Sequence, residues 1–300
     1  MDDLEKKTNI LANDLIFELN KSLGFRKDGL AQPFLKPLVW KPMFRFSEMA
    51  TTFEHRIVQE GWQKASAWFI THFVDKVKAI GAEQLPKEGP LVIAANHPGA
   101  YDSLVICSQI PRDDVKIISS DIPFVKKLPD TSKHMIFSSP DAHDRMGAAR
   151  SALRHLKNGG TLLVFARGTM DPDPAFMPNS EIELTRWTSS LGLFMRNVPK
   201  TKLAVSLISG VLSPKYLNHP ATYLRRGRVN RQRLSEFFQV MYQLLSPGKL
   251  MVSPSLSFGP PVTLDELGLR ESRDINKITK EIIIKAQEHF QYHQTKLLVT

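Results

Sequence analysis

The sequence predicts an α/β fold: a single domain with a central mixed sheet flanked by helices, preceded by an N-terminal helical or irregular arm. Short apolar runs of four to six residues alternate with longer stretches whose apolar residues recur at three- and four-residue steps. Clusters of Gly, Pro and Asn separate the two kinds of segment. Of the 300 residues, 42% are hydrophobic, enough for one large core and too many for a disordered chain.

The arm comes first in chain order. Phe34, Leu35, Leu38, Val39, Trp40, Met43, Phe44 and Phe46 are interleaved with Lys36, Lys41 and Arg45. Pro33, Pro37 and Pro42 break the stretch and argue against one smooth helix. Aromatics mixed with cations suit a bilayer interface, and equally the packing of an arm onto the domain. From Glu48 to about Ile80 a helix is predicted, with Phe53, Ile57, Trp62, Phe69 and Phe73 on its core-facing side. Residues 1–80 thus read as an N-terminal arm and helix with a membrane-facing role, and 81–300 as the main domain. Residues 1–47 are the candidate for a separately mobile segment.

Strands are predicted at Leu91–Ala95, Val115–Ser119, Thr161–Phe165, Leu203–Ile208 and Ser255–Phe258, each a short apolar run. Helices are predicted at Ser103–Ile110, Ala148–Lys157, Glu181–Asn197, Arg231–Leu245 and Ser272–His293. Asn158-Gly159-Gly160 closes the second of these. Asp171-Pro172-Asp173-Pro174 must be a loop, whose carboxylates either contact a substrate or are solvated.

Composition narrows the function classes. One cysteine, Cys107, rules out an internal disulfide and suits a reducing compartment. Met1–Lys7 lacks a signal-peptide pattern, and no apolar run approaches the roughly 18 residues of a spanning helix, so the expected location is cytoplasmic, peripheral on the membrane. The formal charge is +10, and residues 201–250 hold eight Lys or Arg against Glu236 alone, a net +7. The tract Arg225–Arg233 fits anionic lipid head groups, the phosphates of a cofactor-like donor or a merely solvated face. Nucleic acid ranks low, because no aromatic interleaving or zinc spacing accompanies the tract. His134, Asp141, His143 and Asp144 lack any recurrent ligand spacing, so no metal is expected.

The sharpest chemical clue is Leu91–Asp102, an apolar run ending in Asn96-His97-Pro98-Gly99-Ala100-Tyr101-Asp102. His97 falls at a strand's end, and Asp102 at the first turn or N-cap of the next helix, able to fold back toward the imidazole. Such a pair suits a base and its orienter: imidazole takes a hydroxyl proton near neutral pH while the carboxylate fixes the tautomer. The plainer alternative makes Asp102 a helix cap and His97 a satisfied polar residue. No G-x-S-x-G elbow is present, which disfavours a serine hydrolase.

The block Asn96–Asp102 resembles the N-H-x4-D motif of the glycerolipid acyltransferase superfamily, of the 1-acylglycerol-3-phosphate acyltransferase type. Thr161–Thr169 resembles that family's strand ending in F-P-E-G-T, Leu203–Leu207 stands in place of its V-P-V-x-P strand, and Ser257–Val262 resembles its late strand and turn. The resemblance spans roughly residues 80–290 and implies that 81–300 is an acyltransferase domain. It implies His97 as general base, Asp102 as its orienter, and acyl-CoA or acyl carrier protein as co-substrate, with no other cofactor. Departures concern the acceptor: Met135–Pro140 lacks the family's phosphate-holding arginine, for which Arg145 is the nearest candidate, and Ala166-Arg167 replaces Pro-Glu.

Arg167 therefore either grips an anionic group or pairs with Asp171 or Asp173. Gly168 and Thr169 permit close backbone approach, with N–H groups for an oxyanion. Asn96, Arg145, Arg167, Gly168 and Thr169 are thus the candidate substrate-binding residues. The expected function is O-acyl transfer to a lysophospholipid or other glycerolipid-like alcohol at an anionic membrane surface. The alternatives are a thioester or ester hydrolase using the same base, and a non-catalytic lipid-binding protein.

Overall fold

The computed structural model describes the backbone of residues 2–22 and 32–298. Seven strands, β1 (Lys78–Ile80), β2 (Leu91–Ala95), β3 (Val115–Ser120), β4 (Met135–Ser138), β5 (Thr161–Phe165), β6 (Lys202–Ser209) and β7 (Ser255–Phe258), form one sheet ordered β1-β7-β6-β2-β5-β3-β4. Only the β6–β7 pairing is antiparallel, so the sheet is mixed, as expected. The helices are α1 (Asp2–Ser22), α2 (Gln32–Glu60), α3 (Trp62–Ile70), α4 (Asp102–Gln109), α5 (Pro123–Lys126), α6 (Pro129–Lys133), α7 (Ala142–Lys157), α8 (Ser180–Leu184), α9 (Ser190–Asn197), α10 (Pro214–Leu217), α11 (Arg228–Leu245) and α12 (Ile275–His293).

The unbroken apolar character of β2 follows from its place between β5 and β6. Leu91, Ile93 and Ala95 point to a core shared with α3 and α4, and Val92 and Ala94 to one shared with α7, α9 and α12. Helices cover both faces, so both sets of side chains leave water and the run need not alternate. The five predicted strands are present, three of them with the expected ends.

Several elements differ from expectation. α2 runs through Pro37 and Pro42, because Val39, Met49, Ala50 and Phe53 are buried along it and α1 packs against it. Tertiary burial there outweighs the lost amide donors. The helix expected to reach Ile80 breaks at Gly61, whose φ of 87° belongs to the left-handed region, and α3 ends at Ile70. Segment 181–197 splits into α8 and α9. α7 begins at Ala142, where the Asp141 carboxylate accepts from His143 N and Asp144 N. β4 was not foreseen as a strand; it is a short edge strand whose apolar content is only Met-Ile-Phe.

Val39 is buried, and the Phe46 ring meets Phe69 at 6.0 Å and Phe124 at 5.8 Å. This part of the arm packs on the domain, while the side chains of Phe34, Leu35 and Leu38 lie outside the described residues. No helix among the described residues is long and apolar enough to cross a membrane.

Candidate active site

The site grows from the C-terminal end of β2, where open α/β sheets with parallel strands place their ligands. The chain leaves β2 at Asn96, whose amide makes a two-way bond with the edge of β6: Nδ2 donates to Ile208 O (2.9 Å) and Oδ1 accepts from Ile208 N (2.8 Å). Asn96 is 3% exposed. Expected to bind substrate, it instead extends the ladder by one side chain and frees the main chain to turn, so it positions His97.

His97 is pinned by Asp171 from the loop after β5. Its N–H donates to Asp171 Oδ2 (2.9 Å), and Asp171 N donates to His97 O (2.8 Å). The imidazole stacks on Phe165 at 4.2 Å between centroids, and its Nδ1 faces Asp102 Oδ2 at 3.1 Å. Asp102 is the first residue of α4 and fully buried, and the same Oδ2 accepts from Gly99 N at 2.6 Å. With Nδ1 donating to the carboxylate, Nε2 carries the lone pair. The His97 side chain keeps 29% of its surface exposed, enough for a substrate hydroxyl to reach it. Burial pulls the His97 pKa down, but the Asp102 hydrogen bond and the charges of Asp102 and Asp171 outweigh it and raise it above 6.5.

A third carboxyl, not foreseen, belongs to Glu236 on α11. It accepts from Ala100 N in the turn between His97 and Asp102. A Cβ on Gly99 would stand 3.1 Å from Asp102 Oδ1 and 3.2 Å from Glu236 Oε1, so the two carboxyls converge on that glycine. Asp102 Oδ1 has no hydrogen-bond partner among the described residues. Burial, reinforced by the Asp102 charge, pushes Glu236 up to about 8. It carries a proton at neutral pH.

Glu236 is one of four long polar side chains on the buried face of α11, beside the buried Ser235 and Leu244. Gln232, Glu236, Gln239 and Gln243 follow one another at steps of four, three and four, which places them in one stripe. Gln232 Nε2 donates to Pro98 O (2.8 Å) and Asp171 O (2.6 Å), beside His97. Gln239 Nε2 donates to Val211 O (2.9 Å) and the Tyr101 hydroxyl (2.7 Å), and Gln243 Nε2 to Phe73 O (2.9 Å). The helix was predicted but its polar interior was not. The only signal was this spacing of Gln and Glu, which reads as a solvent face.

The remaining candidates separate. Arg167 is brought to the site but turned inward: Nε meets Glu183 Oε2 at 2.9 Å, Nη1 donates to Met170 O at 2.8 Å and lies 3.7 Å from Asp171 Oδ1. It braces the loop, pairing with Asp171 and Glu183 rather than Asp173, and is no free anion grip. A carboxylate does stand at this corner, but it comes from Glu183 on α8. Arg228, from the basic tract, lies 3.9 Å from the same Glu183 and donates to Met170 O at 3.0 Å. Arg145 is exposed on α7, which follows β4, three strands from β2 and about 14 Å across the sheet at the usual strand spacing.

Gly168 sits at φ 75°, and its N–H donates to Phe165 O (2.9 Å), so of the stretch expected to offer oxyanion donors this one amide is already engaged. Thr169 follows, half-buried. Asp171 and Asp173 are 3% and 0% exposed, against the expectation of solvated loop charges. Asp173 accepts from Ala175 N, Gly210 N, Val211 N and Leu212 N, tying this loop to the end of β6. Burial raises both to about 6 despite these donors. His134 stacks on Trp62 at 4.1 Å and faces Val115 O through Nδ1, and Asp141 caps α7, so the polar cluster near 134–144 is structural.

Residues 76–195, from the edge of the sheet into α9, match the family model described as Acyltransferase. The matched segment is similar to the acyltransferase family. Both motif blocks, Asn96–Asp102 and Thr161–Thr169, fall inside the matched acyltransferase segment. Among solved structures, the 1-acyl-sn-glycerophosphate (LPA) acyltransferase PlsC from Thermotoga maritima is similar over 96% of this chain and 98% of its own, with 17% identity and a TM-score of 0.42. No curated protein sequence matches the chain.

Proposed function

We propose that this acyltransferase moves an acyl group from a thioester donor, acyl-CoA or acyl carrier protein, to a hydroxyl of a lysophospholipid or other glycerolipid-like acceptor. The observation that carries the reading is the 3.1 Å contact of His97 Nδ1 with Asp102, which leaves Nε2 as the base on a family-matched segment. The likeness of Asn96–Asp102 to the glycerolipid motif supports the acceptor class.

His97 Nε2 takes the acceptor's hydroxyl proton as its oxygen attacks the thioester carbonyl carbon. Asp102 stabilises the imidazolium that forms and keeps its orientation. The tetrahedral intermediate collapses with cleavage of the C–S bond, the thiolate leaves, and the imidazolium returns the proton to it. One ester forms, one thioester breaks, and no nucleophile from the protein is needed.

Release of free thiol from a panel of acyl-CoA and acyl-carrier donors, with and without lysophospholipids, tests this. Acceptor-dependent release that disappears in His97→Ala is expected. Release without acceptor would make the protein a hydrolase, and turnover unchanged by His97→Ala would overturn the assignment of the base.

A further inference from the structure

Tyr223 and Leu224 stand 66% and 82% exposed at the tip of a one-turn segment, Pro220–Leu224. The tip is built rather than loose. Thr222 donates to His219 O through both N (2.9 Å) and Oγ1 (2.7 Å), and Arg225 N donates to Thr222 O (3.1 Å). The Arg231 guanidinium lies 4.8 Å from the Tyr223 ring centroid while its Nε donates to Arg225 O (3.3 Å), locking the tip to the first turn of α11. Arg225, Arg226, Arg231 and Arg233 are exposed around it. The one acid of residues 201–250, Glu236, is buried, so nothing of opposite sign within that segment offsets them at the surface.

We propose that this tip is a docking surface for an anionic lipid bilayer, with Leu224 and Tyr223 entering the interface and the arginines meeting head-group phosphates. Charge complementarity names the sign of the partner, and the apolar tip names its kind. A polyanion alone accounts for the arginines but gives a protruding leucine no place to go, whereas a bilayer boundary takes an apolar tip, an amphipathic tyrosine ring and cations at successive depths. The surface is joined to the site through α11: Gln232, one residue beyond Arg231, bonds Pro98 O next to His97. A bilayer held here presents its lipids beside the proposed base, and in this the inference rests on the acyl-transfer reading.

The test is sedimentation of the full-length protein with vesicles of phosphatidylcholine alone or with about a third phosphatidylglycerol, both with His97→Ala as background so that turnover plays no part. Binding only to the anionic vesicles is expected, weakened about tenfold by Leu224→Ser and about fivefold per charge by Arg225→Gln and Arg226→Gln. All three sites are exposed, so the thermal midpoint should stay put and separate docking from folding. In the otherwise wild-type protein, Leu224→Ser should slow turnover of vesicle-borne acceptor and spare a water-dispersed short-chain one. Equal binding to both vesicle types, binding unaffected by these variants, or binding to an acidic carrier protein in place of vesicles would overturn the docking surface. Loss of turnover on every acceptor in the parent protein would instead overturn the enzymatic reading.

Discussion

His97 has one nitrogen to offer a hydroxyl, and the protein's charges set the pH at which it is free. Its pKa is raised above 6.5, so the base is protonated and idle on the acid side of that raised value. The acidic limb of kcat/KM should have its midpoint above 6.5, and a midpoint below that would show that the Asp102 and Asp171 carboxylates do not outweigh burial at the ring. Glu236 makes a second claim at this scale. Its folded pKa of about 8 exceeds the ordinary 4.5, so the folded state holds a proton that the unfolded state has lost. The stability this group contributes is full below 4.5 and is lost as pH rises toward 8. Glu236→Gln keeps an oxygen for Ala100 N and removes the ionisation; its denaturation midpoint should fall less than the parent's between pH 5 and pH 8. Identical pH dependence in the two proteins would mean that Glu236 is ionised in the fold.

Single elements show why the site was only half legible in the sequence. β2 and the turn into α4 are local: five buried apolar residues, a Pro-Gly stop and an aspartate at the next helix's start sufficed to place His97 and Asp102 together. The braces come from far along the chain. Asp171 lies 74 residues from His97 and Glu236 lies 136 from Ala100, and no periodicity announces contacts at such separations. α11 was misleading for a related reason, since a stripe of Gln and Glu looks the same whether it meets water or the carbonyls of a loop. Arg167 was ambiguous because its decisive partner, Glu183, arrives on a different helix. In the turn itself, Gly99→Ala would set a methyl 3.0 Å from Val211 and against both carboxyls. A fall of at least tenfold in kcat is expected, together with a lower thermal midpoint reflecting the about 1–3 kcal/mol that overpacking costs, and unchanged kcat would show that the turn yields without moving Asp102.

At the scale of the whole molecule, the alternation of strand and helix along the sequence was enough for the sheet, but not for the edge strands β1 and β4, which are only three and four residues long. Its far side carries a buried polar chain. Ser209 Oγ meets His293 Nε2 at 2.8 Å, His293 Nδ1 meets Ser257 Oγ at 2.8 Å, and Ser257 Oγ meets His289 Nε2 at 2.9 Å, joining α12 to β6 and β7. Burial, with the neighbouring His289, holds His293 down at about 4. The unfolded chain protonates this residue near 6.5 and the folded chain resists, so the stability from neutral His293 is complete above 6.5 and drains as pH falls toward 4, by about 3 kcal/mol. Denaturant titrations at pH 7 and pH 4.5 should show that loss, reduced in His293→Gln; the same loss in both proteins would place the acid sensitivity elsewhere.

The polar stripe of α11 also bears on how the molecule opens. An apolar seam resists water because each exposed methylene costs free energy, whereas amides and carbonyls parted from one another are re-solvated at once. A helix attached through Gln232, Glu236, Gln239 and Gln243, and anchored in the apolar core by Leu244 and Val240 toward its C-terminal end, can therefore lift from the site at its N-terminal turns while β2 and its neighbours stay shut. Its backbone amides there should exchange with deuterium at a lower opening free energy than those of Val92–Ala94, and substrate entry would then draw on a motion that leaves the hydrophobic framework intact.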